Sequence, residues 1–252
     1  MAVIWQKKID GSLYQVRSAG KTRRLYTNGV CHSEFNPDRV VTGSIWDLLV
    51  LPAFFHSDPA PRRILMLGVG GGASILQFHH LLEKTTIVGV ELNPVHLQLA
   101  QKFFDIDTVP AQLHQAEAGE WLQSYRGAAF DLIIDDLFTN EGKEPVRSVS
   151  ADSDWFSLLS QHLAEDGKLV LNFASSKEFK RAGYFINKRI NRRFKQVFRF
   201  SNPQLDNIVG AFIQKESSSQ QLRENLRANP VFRQALQNRQ LRYHVRDVSL
   251  SL

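Results

Sequence analysis

The sequence predicts an α/β protein built on a doubly wound, mostly parallel sheet, and three observations predict it. From residue 63 to residue 173, short apolar runs alternate with helical patterns, the order that lays helices on both faces of a parallel sheet. The glycine turn Gly68-Val69-Gly70-Gly71-Gly72 follows the first of these runs without a gap and opens a helix. Acids then end successive runs, namely Glu91, Glu117 and the pair Asp135-Asp136. In a parallel sheet those ends lie along one edge with the turn, which is where such sheets bind ligands.

Taken in order, residues 2–35 read as β-hairpins. Runs around Trp5, Leu13–Val16 and Arg24–Tyr26 are separated by Asp10-Gly11 and Ala19-Gly20, and Asn28-Gly29 is a strong hairpin signal. This gives an N-terminal β-unit over residues 1–43, ahead of a nucleoside-binding domain over 44–215. Residues 44–55 read as the first helix of that domain. Ile64–Leu67 is a buried strand, and Ile75, Phe78, Leu81 and Leu82 mark the helix after the turn. Ile87–Val90 is the second strand; Asn93-Pro94 opens a helix through Phe103; Gln112–Gln115 is a third strand and residues 118–125 a helix. Phe130–Ile134 is a clear fourth strand. Residues 137–152 read as a long polar loop of the kind that lids a site, and residues 155–163 as a helix stopped by Gly167. Lys168–Phe173 is a fifth strand, residues 179–194 one basic amphipathic helix, and residues 196–200 and 207–213 a closing antiparallel pair. Residues 216–252 read as a helical tail.

Composition bounds the possibilities. The chain has 252 residues, 43% hydrophobic and 22% charged, which suits a globular protein with a sizeable core. A single cysteine, Cys31, excludes an internal disulfide framework and a cysteine-rich zinc site. No apolar run is long enough to span a bilayer and no signal peptide is visible, so the expected location is cytoplasmic. The net charge of +6 raises nucleic acid as a partner. Much of that excess lies between Lys177 and Arg199, where Phe179, Tyr184, Ile190 and Phe194 give the same stretch an apolar stripe, so its charges also read as a solvated face.

At the predicted strand ends, the glycines permit a tight turn and a close approach of ligand, and the helix start offers unpaired N–H groups. Glu91 is placed to accept hydrogen bonds from ribose hydroxyls. Glu117 with the Ala118 backbone can meet an adenine edge, or Glu117 can simply cap its helix. Two adjacent acids at the end of an apolar strand, Asp135 and Asp136, need a cation or an amine to meet them. His32 reads either as an acid/base group or as a hydrogen-bonded structural histidine, and Trp46 as core. His79, His80 and His114 lack partners at metal spacing, and no metal is expected.

The order GVGGGAS, VELNP, QAEAGEWL and FDLIIDDLF resembles the spermidine synthase-like branch of the class I S-adenosylmethionine-dependent transferases, from about Leu25 to Ile213. The resemblance implies a Rossmann-like class I methyltransferase fold and a co-substrate that is S-adenosylmethionine or its decarboxylated form. It places Gly68, Gly70 and Gly72 along the methionine part, Glu91 at the ribose hydroxyls and Glu117 and Ala118 at the adenine, with Val69, Gly71 and Leu92 as further nucleoside-binding residues. It makes Asp136 the group that orients or deprotonates the attacking nucleophile, with Asp135 setting its charge or pinning the loop. It also implies a small-molecule acceptor, an amine in the polyamine enzymes, and a homodimer. The departures are local. The aminopropyltransferases carry an acid inside the glycine turn where this chain has Gly71, and that acid disfavours a nucleoside bearing a carboxylate. Ile45-Trp46-Asp47 stands for their Tyr-His-Glu, His32 for a glutamine, and Leu137-Phe138-Thr139 for Ser-Asp-Pro. The expected function is a transferase moving a methyl or aminopropyl group. The alternatives are a polyamine aminopropyltransferase in the strict sense, a dinucleotide-dependent oxidoreductase satisfying the same glycine pattern, and a non-catalytic nucleoside or nucleic-acid binder using the basic 177–199 face.

Overall fold

The computed structural model describes residues 1–56, 60–141 and 144–250. Its N-terminal unit is a four-stranded antiparallel meander, β1 (Ala2–Ile9), β2 (Ser12–Ala19), β3 (Thr22–Thr27) and β4 (Val30–Phe35), in that spatial order. Asp10 and Asn28 adopt φ of 46° and 50° at two of its turns, the left-handed region that Asn and Asp tolerate. Helix α1 (Ile45–Val50) runs into a 3₁₀ turn at Leu51–Phe55 that packs Phe54 and Phe55 into the core. The alternation then proceeds as the sequence predicts: β5 (Arg63–Leu67), α2 (Ala73–Leu81), β6 (Thr86–Glu91), α3 (Pro94–Phe103), β7 (Ala111–Gln115), α4 (Ala118–Ser124) and β8 (Phe130–Asp135).

The next segment departs from the expected loop. Phe138–Glu141 and Glu144–Arg147 form a two-stranded antiparallel hairpin, β9 and β10, in which Phe138 faces Arg147 and Thr139 faces Val146. Helix α5 (Ser153–Gln161) ends before Gly167, which is not its stop. Gly167 lies inside β11 (Leu163–Phe173), whose pairing with β8 shifts register between Leu163 and Lys168, and Asp166 there takes a φ of 62°. The expected single helix over 179–194 is three short ones, α6 (Ser176–Lys180), α7 (Gly183–Ile186) and α8 (Lys188–Asn191). Ala182 and Asn187 leave the helical region at the breaks, and Gly183 lies against the Asp152 carbonyl, donating its N–H to Ala151 O at 2.8 Å. The apolar stripe is still buried, through Phe179, Tyr184, Ile190 and Phe194, and the arginines and lysines between them are exposed.

Strands β12 (Gln196–Ser201) and β13 (Ile208–Ile213) close the sheet. The tail contains α9 (Ser219–Ala228), α10 (Pro230–Gln237) and a strand absent from the sequence reading, β14 (His244–Asp247), which pairs antiparallel with β12. The large sheet therefore runs β14-β12-β13-β11-β8-β5-β6-β7. Pairings from β7 through β6, β5 and β8 to β11 are parallel, and β13 and β12 are antiparallel. Each central strand feeds two cores by period-two alternation: Ile64 and Met66 join one apolar cluster, Leu65 and Leu67 the other. Strand order reverses beside β5, so the carboxyl ends of β5, β6 and β8 open a crevice at the switch point. Among the described residues no helix is long and apolar enough to cross a membrane.

Candidate functional site

A cleft of about 590 Å³ lies at that switch point, between the sheet edge, the N-terminal unit and the β9–β10 hairpin. Its wall includes Gly68, Val69, Gly70, Glu91, Leu92 and Asp136. It also includes His32 from β4, Trp46 from α1, Asn172 from β11 and Asn207 from the residue just before β13. Its size suits a small-molecule ligand.

The glycine turn is shaped by contacts on both sides. Gly68 has a φ of 85°, and a Cβ there would overlap the Asp136 carbonyl, so this position needs glycine twice over. The amides of the turn itself are taken up within the protein. Val69 and Gly70 donate to Glu91 Oε2 at 2.9 and 2.8 Å, Gly71 donates to Ser33 Oγ at 2.7 Å, and Gly72 donates to Val69 O at 2.8 Å. Buried amides find partners wherever the chain offers them, and here Glu91 and Ser33 were within reach. The turn therefore meets a ligand by shape.

Glu91 is the organiser of this edge. Besides Val69 and Gly70 it accepts from Asn93 N at 2.9 Å through Oε1, and it stays 8% exposed at the cleft. A carboxylate offers about four lone-pair positions, so one remains for a hydroxyl after three amide bonds. His96 Nδ1 stands 3.7 Å from Oε1, while its Nε2 is 2.8 Å from Thr27 Oγ1. Burial pushes the His96 imidazole down to about 4, so it is neutral near pH 7. Its ring lies 4.8 Å from that of His32, which lines the cleft. Leu92 is 65% exposed beside Glu91, an apolar surface on the cleft wall.

The two aspartates have separate surroundings. Asp135 is wholly buried and turned away from the cleft: Arg147 Nη2 and Trp155 Nε1 each donate to its Oδ2 at 2.7 Å, and Leu137 N donates to Oδ1 at 3.2 Å. Arg147 also donates to Asn172 O at 2.5 Å and Val149 O at 3.1 Å. The hairpin is thereby tied to the ends of β8 and β11. Asp136 faces the cleft. Asn172 Nδ2 donates to its Oδ1 at 2.7 Å, and Asn172 Oδ1 in turn accepts from Asn207 Nδ2 at 3.1 Å. Burial pushes the Asp136 carboxyl up to about 6; the Asn172 hydrogen bond opposes this, neighbouring Asp135 adds to it, Arg147 opposes it and Glu91 adds to it.

The remaining sequence candidates are elsewhere. Glu117 caps α4, accepting from Glu120 N at 2.8 Å, and neither it nor Ala118 is part of the cleft wall. Gly71 and Gly72 lie behind the wall. A Cβ on Gly71 would stand 2.9 Å from Ser33 Cβ and 3.0 Å from Phe104 Cζ, so the room an acid would need is filled by serine and phenylalanine. Asp47 is buried under α1, accepting from Gly43 N and Gln77 Nε2 at 2.6 Å each, which sets Trp46 at the cleft rim. Sequence reasoning missed Asn172, Asn207 and Arg147. A polar residue closing an otherwise apolar strand, LVLNF, was the available signal for Asn172.

The sequence profile of the Spermine/spermidine synthase domain matches residues 47–213. Polyamine aminopropyltransferase 2 of Caldanaerobacter subterraneus is 31% identical over 166 residues, 64% of this chain and 54% of that protein. The chain spans about half the length, or less, of the curated relatives it matches. A probable spermidine synthase from Corynebacterium glutamicum superposes with a TM-score of 0.73 at 16% identity, covering 98% of this chain and 91% of that one. Human methyltransferase-like protein 13, solved with SAH, superposes at 0.55 and 16% identity, covering 77% and 90%. At these identities the two structures share the fold.

Proposed function

The chain belongs to the spermine/spermidine synthase family, and from that premise we propose that it is a group transferase that binds an S-adenosylmethionine-type nucleoside in the switch-point cleft. The observation that carries the reading is Asp136: a carboxyl pushed up to about 6, at the cleft, beside a glycine turn and the ribose-ready Glu91. A sulfonium carbon is already activated, so the protein has to hold a nucleophile in line and receive its proton. The nucleophile's lone pair forms the new bond to carbon as the carbon–sulfur bond breaks, and those electrons stay on sulfur as a neutral thioether. The proton shed by the nucleophile goes to Asp136. Asn172 holds one of its oxygens, leaving the other for that proton. With a pKa near 6, Asp136 is mostly ionised at pH 7 and still basic enough to be useful.

Two donor forms fit this chemistry. The relatives named as aminopropyltransferases favour the decarboxylated nucleoside and aminopropyl transfer. Gly71, packed on Ser33 and Phe104 with no acid to repel a carboxylate, favours S-adenosylmethionine itself and methyl transfer. Asp136→Asn tests the role common to both: transfer should be lost while nucleoside affinity stays within a few-fold. Unaltered turnover would remove Asp136 from the mechanism.

A further inference from the structure

We propose that Asn207 is a positioning residue for the transfer: it fixes the direction of the Asn172 amide, which keeps one oxygen of Asp136 bound and the other open to the nucleophile's proton. The inference rests on the transfer reading above. Asn172 is 3% exposed near the end of β11, and its strand partner is Val209 of β13. Asn207 stands two residues before Val209, so the alternation of a strand puts both amides on one face of the sheet, within reach of each other. They meet there: Asn207 Nδ2 donates to Asn172 Oδ1 at 3.1 Å, and Asn172 Nδ2 donates to Asp136 Oδ1 at 2.7 Å. Among the described residues no hydrogen bond reaches Asp136 Oδ2.

The chemistry of the groups dictates the order of that chain. An ionised carboxylate only accepts, so Asn172 has to present its NH₂ to Asp136, and its carbonyl oxygen then points the other way. Buried, that oxygen costs free energy unless a donor meets it, and Asn207 supplies one. Turned over, the Asn172 amide would set oxygen against the ionised carboxylate, yet it could accept from a protonated Oδ1. Asn207 bars that arrangement, because its NH₂ would then face the NH₂ of Asn172. Without Asn207 the turned amide stabilises the acid form of Asp136 and places the proton on the bound oxygen, not on Oδ2. The other charges acting on Asp136 come from Asp135 of β8, Arg147 of β10 and Glu91 of β6, while His32 of β4 and His96 of α3 line the same cleft. An uncharged replacement of Asn207 leaves all of these in place.

The test follows the Asp136 carboxyl carbon by NMR through a pH titration of the whole chain carrying carboxyl-labelled aspartate, with the signal assigned from Asp136→Asn. In Asn207→Leu the titration should move up by about half a pH unit or more, roughly a threefold gain in proton affinity. In an Asn172→Leu background the same replacement should move it no further, because the amide through which Asn207 acts is gone. Asn207→Ala, which adds no bulk, gives the same readout should the leucine variant fail to fold. An unmoved titration on replacing Asn207, or a shift that persists in the Asn172→Leu background, would overturn the inference. No nucleoside or acceptor enters this titration, so its failure counts against Asn207 alone. Failure of the transfer reading shows instead as unaltered turnover in Asp136→Asn.

Discussion

Replacing Arg147 by methionine removes the tie between the hairpin and the sheet. In the folded chain the side chains of Asp135 and Arg147 are 0% and 2% exposed and meet at 2.7 Å. Arg147→Met keeps the volume of the stem but leaves the Asp135 carboxylate with only Trp155 Nε1 and Leu137 N as donors. It also strips the Asn172 and Val149 carbonyls of their guanidinium partner. Removing one member of a buried pair costs about 3–5 kcal/mol, because the remaining charge is left uncompensated. With a urea dependence of about 2–3 kcal/mol per molar, the midpoint should fall by roughly 1–2 M. The pair does not have to be stabilising in itself, since replacing both partners by apolar groups is often close to neutral. Asp135→Leu combined with Arg147→Met should therefore recover most of the loss. Urea melts of the two single variants and the double variant close the cycle. A single Arg147→Met loss below about 1 kcal/mol, or a double variant no better than the sum of the singles, would refute this account of how the hairpin is held.

Three other outcomes follow from the site. Gly71→Asp should not create a decarboxylated-nucleoside site: its Cβ would press on Ser33 and Phe104, costing about 1–3 kcal/mol of stability for overpacking alone, read by thermal melting. Glu91→Ala should weaken nucleoside binding by about 1–3 kcal/mol and loosen the turn as well, because the Val69, Gly70 and Asn93 amides lose their acceptor; unchanged affinity by calorimetry would remove Glu91 from the ribose site. The pH dependence has a definite sign. Asp136 must be ionised to accept a proton, so kcat/KM should be lost as pH falls through about 6. His96, held down to about 4, should contribute nothing in that window, so His96→Asn should leave the limb in place. The raised carboxyl also means that the folded state holds its proton more tightly than the unfolded chain does. That share of stability is complete at low pH and is lost as pH rises toward 6.

The parts of this molecule that were legible in the sequence are those whose signal is local. The β5–turn–α2–β6 unit combines a doubly buried strand, glycines and a closing acid within about thirty residues, the length of one βαβ unit. Hairpins at Asp10-Gly11 and Asn28-Gly29 carry their own turn chemistry. The hairpin after Asp136 has no local signal, because what holds it, the contact of Arg147 with Asp135 and Asn172, joins residues 12 and 25 apart in the chain. The stretch over 179–194 has the right period for burial, yet Gly183 is pulled out of helix by a distant backbone at Asp152. β14 buries only Val245 of its four residues and exists because β12 presents an edge to it. Within the site, glycines and acids were visible as residue types. Their partnership was not: the closure of Val69 and Gly70 on Glu91, and of Gly71 on Ser33, depends on geometry that composition does not carry.

The most direct test of the central claim is a thermal-shift titration with S-adenosylmethionine and its decarboxylated form, on the unaltered chain and on Glu91→Ala. A ligand that binds only the folded state stabilises it by about 2.7 kcal/mol at a hundredfold excess over Kd. At least one of the two nucleosides should raise the melting point in a saturable way, with the shift reduced in Glu91→Ala. A larger shift with S-adenosylmethionine supports methyl transfer, and a larger shift with the decarboxylated form supports aminopropyl transfer. No shift with either nucleoside would contradict the claim that this cleft is a nucleoside site.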